Sequence, residues 1–306
     1  MKDIAPIVLF VFARPDHTRR TLEALAANRF AAQSDLFIYA DGARWKDEVG
    51  RVGAVRALAS STQGFHSCTV IERSTNYGLA RNIIEGVTEI CGRYGRVIVL
   101  EDDMVTSPSF LAYMNEALER FAEDERVASI HGYVYPVRQP LPEAFFLRGA
   151  DCWGWATWIR AWKYFNPDGR SLLNELKRLN LNKKFDFDGA YPFSTMLAKQ
   201  IRGENDSWAI RWHASMFLKG MLTLYPGQSL VQNIGFDGSG HHCGISDRYM
   251  TTLTPCAPKL DGLEIIASHK AAAIIESYFR QTHGITINRL WHSLIQLFSR
   301  IGSQQP

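Results

Sequence analysis

Residues 96–103 have the sequence Arg96-Val97-Ile98-Val99-Leu100-Glu101-Asp102-Asp103, in which an aliphatic run ends in three carboxylates. The β-branched, apolar run predicts a strand buried within a parallel sheet. Ligands of open α/β sheets bind beyond the carboxyl ends of the strands, so we expect the acidic cluster at a ligand site. Adjacent carboxylates repel one another unless a cation or a basic side chain neutralises them, and their oxygens suit Mg²⁺ or Mn²⁺. The alternative is a solvated acidic loop.

Strands and helices alternate on both sides of this stretch. Apolar runs predict further strands at residues 6–12, 36–40, 68–72 and 127–131, with helical patterns between them. This order predicts an α/β fold with a mostly parallel, doubly wound sheet flanked by helices. From residue 133 the chain is richer in Trp, Pro, Gly and Asn. We expect one domain over residues 1–260, with a nucleotide-binding half at 1–132 and an acceptor half at 133–260 that continues the same sheet.

Composition excludes several classes of protein. The formal net charge of the 306 residues is only +3, and Lys and Arg are scattered, which argues against a nucleic-acid partner. The five cysteines are widely spaced without a CxxC pair, which argues against structural zinc and a disulfide framework. We find neither a secretory signal pattern nor an apolar run of about 20 residues. These features favour a cytoplasmic protein.

Polar residues follow the other predicted strands. Arg14 follows the first strand and offers a fork of donors for a phosphate or a base carbonyl. Asp41 follows the second strand and could accept hydrogen bonds from a nucleobase or ribose. The alternative for Asp41 is ordinary turn chemistry. Asn76 and Gly78 follow the third strand, where glycine permits close approach of a ligand to the backbone, and Arg81 could reach a diphosphate. Neither G-x-G-x-x-G nor a P-loop occurs here, which disfavours a dehydrogenase or a P-loop kinase.

These motifs, in this order, resemble those of a GT-A (Rossmann-like) glycosyltransferase. The motifs are Phe12-Ala13-Arg14-Pro15, Asp41-Gly42, Asn76-Tyr77-Gly78-Leu79-Ala80-Arg81-Asn82 and Glu101-Asp102-Asp103. They are most similar to the N-acetylglucosaminyltransferase I type and to bacterial family 2-like sugar transferases of surface polysaccharide clusters. The resemblance implies that Asp103 binds a divalent metal, Mn²⁺ or Mg²⁺, on the diphosphate. It implies that Glu101 and Asp102 contact ribose, sugar or metal-bound water.

Two downstream segments extend the resemblance. Asn205-Asp206-Ser207-Trp208 is similar to a Trp-Asp-Asp-Trp segment of the family, which implies that Asp206 is the catalytic base, with Glu204 as its rival. Residues 233–242 are similar to the family's loop near the diphosphate. That likeness implies a histidine at the diphosphate or the metal, and of His241 and His242 we favour His242.

Tryptophan is concentrated in Cys152-Trp153-Gly154-Trp155-Ala156-Thr157-Trp158. Such rings either stack on the faces of sugars or fill the core, and both readings stay open for Trp153 and Trp155. Bacterial sugar transferases carry a similar segment beside the donor sugar, which adds these two residues to the candidate donor site.

The resemblance implies a metal-dependent glycosyltransferase of surface polysaccharide or lipopolysaccharide synthesis. It would move a sugar, with inversion, from a nucleotide-diphosphate sugar, UDP-linked, to a saccharide or lipid-linked acceptor. Two alternatives stay open. A nucleotidyltransferase that makes a nucleotide sugar would normally need a glycine-rich basic loop, which Ala13-Arg14-Pro15-Asp16 does not provide. A non-catalytic sugar-binding module would have no need of the acidic cluster.

Residues 261–306 predict a helical tail outside the resemblance. Its last part, residues 290–301, forms an apolar stripe bordered by Arg289 and Arg300. Such a stripe packs on its own domain or lies on an anionic membrane surface, which here would be the inner face of the cytoplasmic membrane.

Overall fold

The computed structural model describes residues 4–239 and 246–282. Its strands are β1 (Ile7–Val11), β2 (Asp35–Ala40), β3 (Ser67–Glu72), β4 (Arg96–Glu101), β5 (Met104–Thr106), β6 (Val127–His131), β7 (Ala144–Arg148), β8 (Trp155–Trp158), β9 (Leu222–Pro226) and β10 (Val231–Asn233). Its helices are α1 (Pro15–Ala26), α2 (Val49–Ser60), α3 (Leu79–Tyr94), α4 (Phe110–Arg120), α5 (Ile159–Trp162), α6 (Gly169–Arg178), α7 (Asn182–Phe185), α8 (Phe193–Ile201), α9 (Trp208–Leu218) and α10 (residues 269–282).

Eight strands form one central sheet in the order β3-β2-β1-β4-β8-β6-β9-β7. β3, β2, β1 and β4 are parallel, β8 runs antiparallel to both β4 and β6, and β7 runs antiparallel to β9. Because β6 and β9 are parallel to each other, six of the strands share one direction and two are reversed. The predicted mainly parallel α/β sheet is therefore confirmed. β5 and β10 form a separate antiparallel ribbon.

The sheet is buried on both faces because its strands carry apolar side chains in both directions. In β4, Val97 and Val99 belong to one buried cluster and Ile98 and Leu100 to the other. Helices α1, α2 and α4 contribute to the cluster on the Ile98 face, and α3 and α9 to the cluster on the Val97 face. This double burial explains the continuous aliphatic run that precedes the acidic cluster.

The second half of the chain supplies β7, β8 and β9 to the same sheet as β1–β4. Helix α10 packs on this part of the molecule, where Ile275 and Phe279 join Phe145 and Tyr225 in one buried cluster. The apolar stripe predicted at residues 290–301 lies outside the described residues. Among residues 4–239 and 246–282, no helix has both the length and the apolar character needed to cross a bilayer.

Candidate active site

The acidic cluster occupies the turn between β4 and β5. The backbone of this turn is held on two sides: Thr21 of α1 donates a hydrogen bond to the carbonyl of Asp102 (2.8 Å), and the amide of Ile234 donates one to the carbonyl of Asp103 (2.9 Å). The two aspartates are buried, with 4% and 8% of their surfaces exposed. The alternative of a solvated acidic loop is therefore wrong for Asp102 and Asp103.

Arg14 neutralises part of this cluster. It follows β1, the neighbour of β4 in the sheet, and its Nη2 forms ion pairs with Asp102 and with Oδ2 of Asp103 (2.9 Å). Burial lowers the pKa of Arg14, but the two carboxylates outweigh it and raise the pKa above its ordinary value. In this structure the predicted phosphate ligand Arg14 therefore binds carboxylates.

One oxygen of the cluster has no partner. Oδ1 of Asp103 is buried and accepts no hydrogen bond from the described residues. The other oxygen, Oδ2, faces Arg14 and Gly235, where an added Cβ would lie only 2.1 Å away. A buried carboxylate oxygen without a donor is a position that a cation or water would satisfy.

The residues present fit a divalent cation of the Mg²⁺ or Mn²⁺ kind. Within the described chain no group of three or more His, Cys, Asp or Glu side chains is arranged to hold a metal ion. Mg²⁺ usually takes one or two protein carboxylates and completes its shell with water and substrate phosphates, so the orphaned Asp103 oxygen is a sufficient protein ligand.

Two carboxylates of the cluster have raised pKa values. Burial, and then the charges of Asp103 and Asp102, raise the pKa of Glu101 to about 8, against the opposing effect of Arg14. Burial likewise raises the pKa of Asp102 despite its ion pair. Because only one arginine faces the three carboxylates, a further cation is needed to stabilise all three in the ionised form.

Asp41 organises the neighbouring loop. Its carboxylate accepts hydrogen bonds from the amides of Gly42 (2.9 Å), Tyr77 (2.7 Å) and Gly78 (3.0 Å) and from the side chain of Asn76 (3.1 Å). Asn76 also donates to the carbonyl of Gly42 (2.8 Å). Both Asp41 oxygens are therefore occupied by the protein, so the turn alternative describes this structure and the predicted ribose contact stays untested. Gly78 has φ +73°, a backbone region that favours glycine.

Arg81 lies in the first turn of α3. Its guanidinium lies 4.0 Å from the ring centre of Tyr77 and pairs with Glu85 (2.7 Å), and most of its side chain remains exposed. Arg73 lies 4.5 Å from the same ring. Arg73 was missed by the sequence analysis because it sits just past β3 without a recognisable motif. The two arginines provide positive charge at the carboxyl edge of the sheet.

The two tryptophan candidates have different environments. Trp153 is half-buried, and its ring contacts Tyr133, Phe236 and Tyr249 with centroid distances of 4.7, 5.6 and 5.4 Å. Phe236 follows Gly235, which lies against Asp103, so this segment connects Trp153 to the acidic cluster. Trp155 is only 1% exposed and stacks on Trp208. Of the two readings of Trp155, packing in the core therefore describes this structure, and its predicted contact with a donor sugar stays untested.

Asp206 lies just before α9, and Ser207 caps that helix by accepting a hydrogen bond from the amide of Ile210 (3.2 Å). The ring of Trp208, the first residue of this helix, stacks on that of Trp155, which pairs with Val99 of β4.

The Asp206 carboxylate is exposed and pairs with Arg211 (3.3 Å). Glu204 is also exposed and pairs with Arg202, and that hydrogen bond lowers the pKa of Glu204. Both carboxylates are therefore accessible to an acceptor.

The predicted His242, like His241, lies outside the described residues. The described part of its loop is held by a histidine that the sequence analysis missed, His17 of α1. Its Nε2 lies 3.2 Å from Oδ2 of Asp237 and 3.3 Å from the carbonyl oxygen of Ile234. The available signal was its spacing from Arg14, three residues earlier and on the same side of the helix.

No family model matches the sequence, and no curated protein is detectably similar to it. Among solved structures, similarity is found to the mannosyltransferase PcManGT from Pyrobaculum calidifontis in complex with GDP-Man and Mn²⁺ (16% identity, TM-score 0.32, 44% of this chain and 36% of that one). Similarity is also found to S. aureus TarS (9% identity, TM-score 0.33, 50% of this chain and 47% of that one). A third similar structure is a UDP-glucose pyrophosphorylase complexed with UDP-glucose (14% identity, TM-score 0.35, 72% of this chain and 90% of that one). The matched part spans less than half of the first two proteins. All three TM-scores are below 0.5, so the fold and the site rest on the geometry of this chain.

Proposed function

We propose that this protein is a metal-dependent glycosyltransferase that uses a nucleotide-diphosphate sugar with uridine diphosphate as the carrier. The observation that carries the proposal is the buried Asp103 carboxylate, which has one unpartnered oxygen at the carboxyl end of β4. Parallel α/β sheets bind ligands at this edge. An oxygen ligand there suits a cation that is also bound by a diphosphate.

On the donor side, Asp103 would hold the metal, and Glu101 and Asp102 would contact its water shell or the ribose and sugar. The bound cation would neutralise the leaving diphosphate. Arg81 would add a second positive charge to that group, because its guanidinium is exposed at the start of α3. Trp153 offers a half-buried aromatic face to the donor sugar.

On the acceptor side, Asp206 would take the proton from the attacking hydroxyl, so that the sugar is transferred with inversion. Its carboxylate is exposed, pairs with Arg211 and lies directly before α9, whose Trp208 stacks on Trp155 of β8, the neighbour of β4. A saccharide or lipid-linked acceptor, and a setting in surface polysaccharide synthesis, rest on the sequence resemblance alone.

Nucleotide binding with and without metal tests the proposal. Calorimetry with UDP, GDP and ADP, each with and without Mn²⁺, should show metal-dependent binding that is tightest for UDP. Asp103→Asn should abolish the metal-dependent part, whereas Asp16→Asn, which alters an exposed acid on α1, should leave it intact. Unchanged metal-dependent binding by Asp103→Asn would remove Asp103 from the site.

The nucleotidyltransferase alternative is disfavoured by the segment after β1. Residues 13–16 pass directly into α1, which begins at Pro15, and they provide no glycine-rich phosphate loop. Incubation with a UDP-sugar, pyrophosphate and Mn²⁺ should therefore release no UTP. Release of UTP would favour this alternative.

A further inference from the structure

A groove lies on the surface formed by the segment between β6 and β7, the segment after β9 and the segment before α10. It is lined by residues 134–143, residues 227–229, Gln232 of β10, Asp247 and residues 250–258. The cavity volume is about 1400 Å³. Clefts that hold one drug-sized molecule measure roughly 300–1,000 Å³, so this groove has room for a chain of several sugar units.

The groove presents polar side chains that have no partner in the part of the chain that the structure describes. Five exposed lining residues have neither a hydrogen bond nor an ion pair through their side chains there: Arg138, Gln139, Gln228, Asp247 and Thr252. Amides and hydroxyls both donate and accept hydrogen bonds, which matches the hydroxyl groups of a saccharide.

The charge of the lining argues against a polyanion. The lining contains the guanidinium of Arg138 and the carboxylates of Glu143 and Asp247, so its net charge is one negative charge. A nucleic acid or an acidic polymer would require an excess of positive charge. The lining therefore fits an uncharged chain.

The groove is also built from rigid backbone. Five prolines line it: Pro136, Pro140, Pro142, Pro255 and Pro258. Proline fixes φ, so less conformational entropy is lost when a ligand is bound.

Two connections join the groove to the acidic cluster. Gln232 lines the groove, and Gly235, three residues later in the chain, packs on Asp103. The distance between Gln232 and Gly235 is therefore at most ~11 Å. On the other side, Tyr249 precedes the lining residue Met250, and its ring contacts Phe236 (4.9 Å) and Trp153 (5.4 Å). One end of a chain in the groove would therefore lie near Asp103.

We propose that this groove binds an uncharged oligosaccharide of at least three residues and that this chain is the acceptor, held with one end toward the acidic cluster. The assignment as acceptor rests on the proposed glycosyltransferase function. The binding itself does not, because it needs neither donor nor metal.

Cys256 permits a direct test in the full-length native protein. It is exposed and lines the groove, whereas the exposed Cys68 lies on β3 at the far edge of the sheet. The protein is alkylated with a maleimide, without donor or metal, and modification of each cysteine is measured by mass spectrometry. The probes are uncharged oligosaccharides of glucose, mannose, galactose and N-acetylglucosamine, each with one, three or six residues.

Chains of three and six residues of at least one sugar should slow alkylation of Cys256 several-fold, and the monosaccharide should not. Alkylation of Cys68 should be unchanged. Gln228→Ala and Arg138→Ala should each weaken binding by roughly two- to tenfold, the effect of one lost hydrogen bond. Gln33→Ala, an exposed glutamine that lines no part of the groove, is the matched control.

Equal alkylation of Cys256 at every chain length, or equal protection by monosaccharide and hexasaccharide, would overturn the inference. The two proposals fail separately. Metal-dependent UDP binding without protection of Cys256 would remove the groove and leave the glycosyltransferase proposal standing. Length-dependent protection without metal-dependent UDP binding would leave a saccharide-binding groove and remove the transferase.

Discussion

Asp103 is packed so closely against the segment after β10 that a single added carbon atom would displace it. A Cβ at Gly235 would lie 2.1 Å from Oδ2 of Asp103. The amide of Ile234 donates to the carbonyl of Asp103, and the amide of Gly235 donates to the side chain of Asn233, so both residues are held in place. We therefore expect Gly235→Ala to weaken metal-dependent UDP binding by roughly 10–100-fold, as loss of ligand support does at metal sites. Calorimetry with UDP and Mn²⁺ measures this.

Gly53→Ala is the matched control for that substitution. Gly53 lies in α2, and a Cβ there would meet no atom within 4 Å. It should leave UDP binding unchanged and stabilise the protein by roughly 0.5–1 kcal/mol, because alanine is the better helix former. If Gly235→Ala binds like the wild type, the Asp103 carboxylate does not have to keep its position for metal binding.

The proposed base makes a second prediction at this scale. Asp206→Asn keeps the shape of the side chain and removes its basicity, so turnover should fall by roughly 10²–10⁴-fold while UDP affinity changes little. Glu204→Gln alters the neighbouring exposed carboxylate and should retain near-normal turnover. The reverse pattern in initial rates would transfer the role to Glu204.

Sequence analysis identified the acidic cluster and Arg14 as parts of one edge of the sheet, but not their ion pairs. The position of Asp41 after a strand predicts that its carboxylate can accept hydrogen bonds from a ligand, provided that no group of the protein occupies it. Apart from the amide of the adjacent Gly42, the groups that fill it come from Asn76, Tyr77 and Gly78, more than thirty positions later in the sequence. No local sequence pattern reveals partners so distant in the chain. The position of Asp41 at the carboxyl edge of the sheet could therefore be predicted, but its hydrogen-bond partners could not.

At the scale of elements, the tryptophan-rich segment that contains β8 contributes Trp155 to the core and the half-buried Trp153 to the candidate site. Trp155 stacks among Trp208, Trp212 and Trp162 between the sheet and α9. We expect Trp155→Ala to lower the free energy of unfolding by about 3–5 kcal/mol, the usual effect of removing a large buried aromatic side chain. Urea unfolding monitored by circular dichroism measures the change.

Trp45→Ala provides the comparison, because 66% of that side chain is exposed. It should change the free energy of unfolding by no more than about 0.5 kcal/mol. Equal losses in the two variants would mean that the packing of Trp155 contributes nothing specific to stability.

The elements themselves were predictable to different degrees. The aliphatic runs of β1, β2 and β4 and the helical patterns of α1–α4 are long enough to identify from the sequence. β5 and β10 are three residues each, too short for any periodicity, and they pair across more than 120 positions. The reversed direction of β8 was equally invisible, because a buried strand has the same composition in either direction.

For the whole molecule, buried histidines predict how stability depends on pH. The ring of His213 lies 5.1 Å from that of Phe185 and 4.7 Å from that of Phe193, and burial lowers its pKa. Burial also lowers the pKa of His131. Below a pH of about 6.5 the unfolded chain takes up protons that the folded protein excludes. The contribution of these two histidines to the free energy of unfolding should therefore be fully present above pH 6.5 and be lost as the pH drops toward their lowered folded-state values. The raised pKa of Glu101 acts in the opposite direction, so a variant of one histidine is needed to isolate this contribution.

Urea unfolding at pH 7.5 and 5.5 tests this. His213→Phe lowers stability at pH 7.5, because the hydrogen bond to Ala150 is lost, but the variant should lose less stability between the two pH values than the wild type. His269→Phe changes an exposed histidine that has no ion pair among the described residues, and it should show the same pH dependence as the wild type. The same loss in all three proteins would show that His213 does not contribute to the acid sensitivity.

β8 lies between β4 and β6 in the sheet, although it follows both in the chain. During synthesis the four strands β1–β4 emerge first. One edge of the aliphatic strand β4 then stays unpaired until β8 (Trp155–Trp158) has been synthesised. Roughly 50 further residues must be translated, which takes about 3–10 s at ribosomal rates. Throughout that interval the nascent chain exposes an apolar, unpaired strand edge of the kind that recruits other chains. Fragments that stop before residue 155 should therefore aggregate, so a soluble fragment that contains β1–β4 would have to include β8.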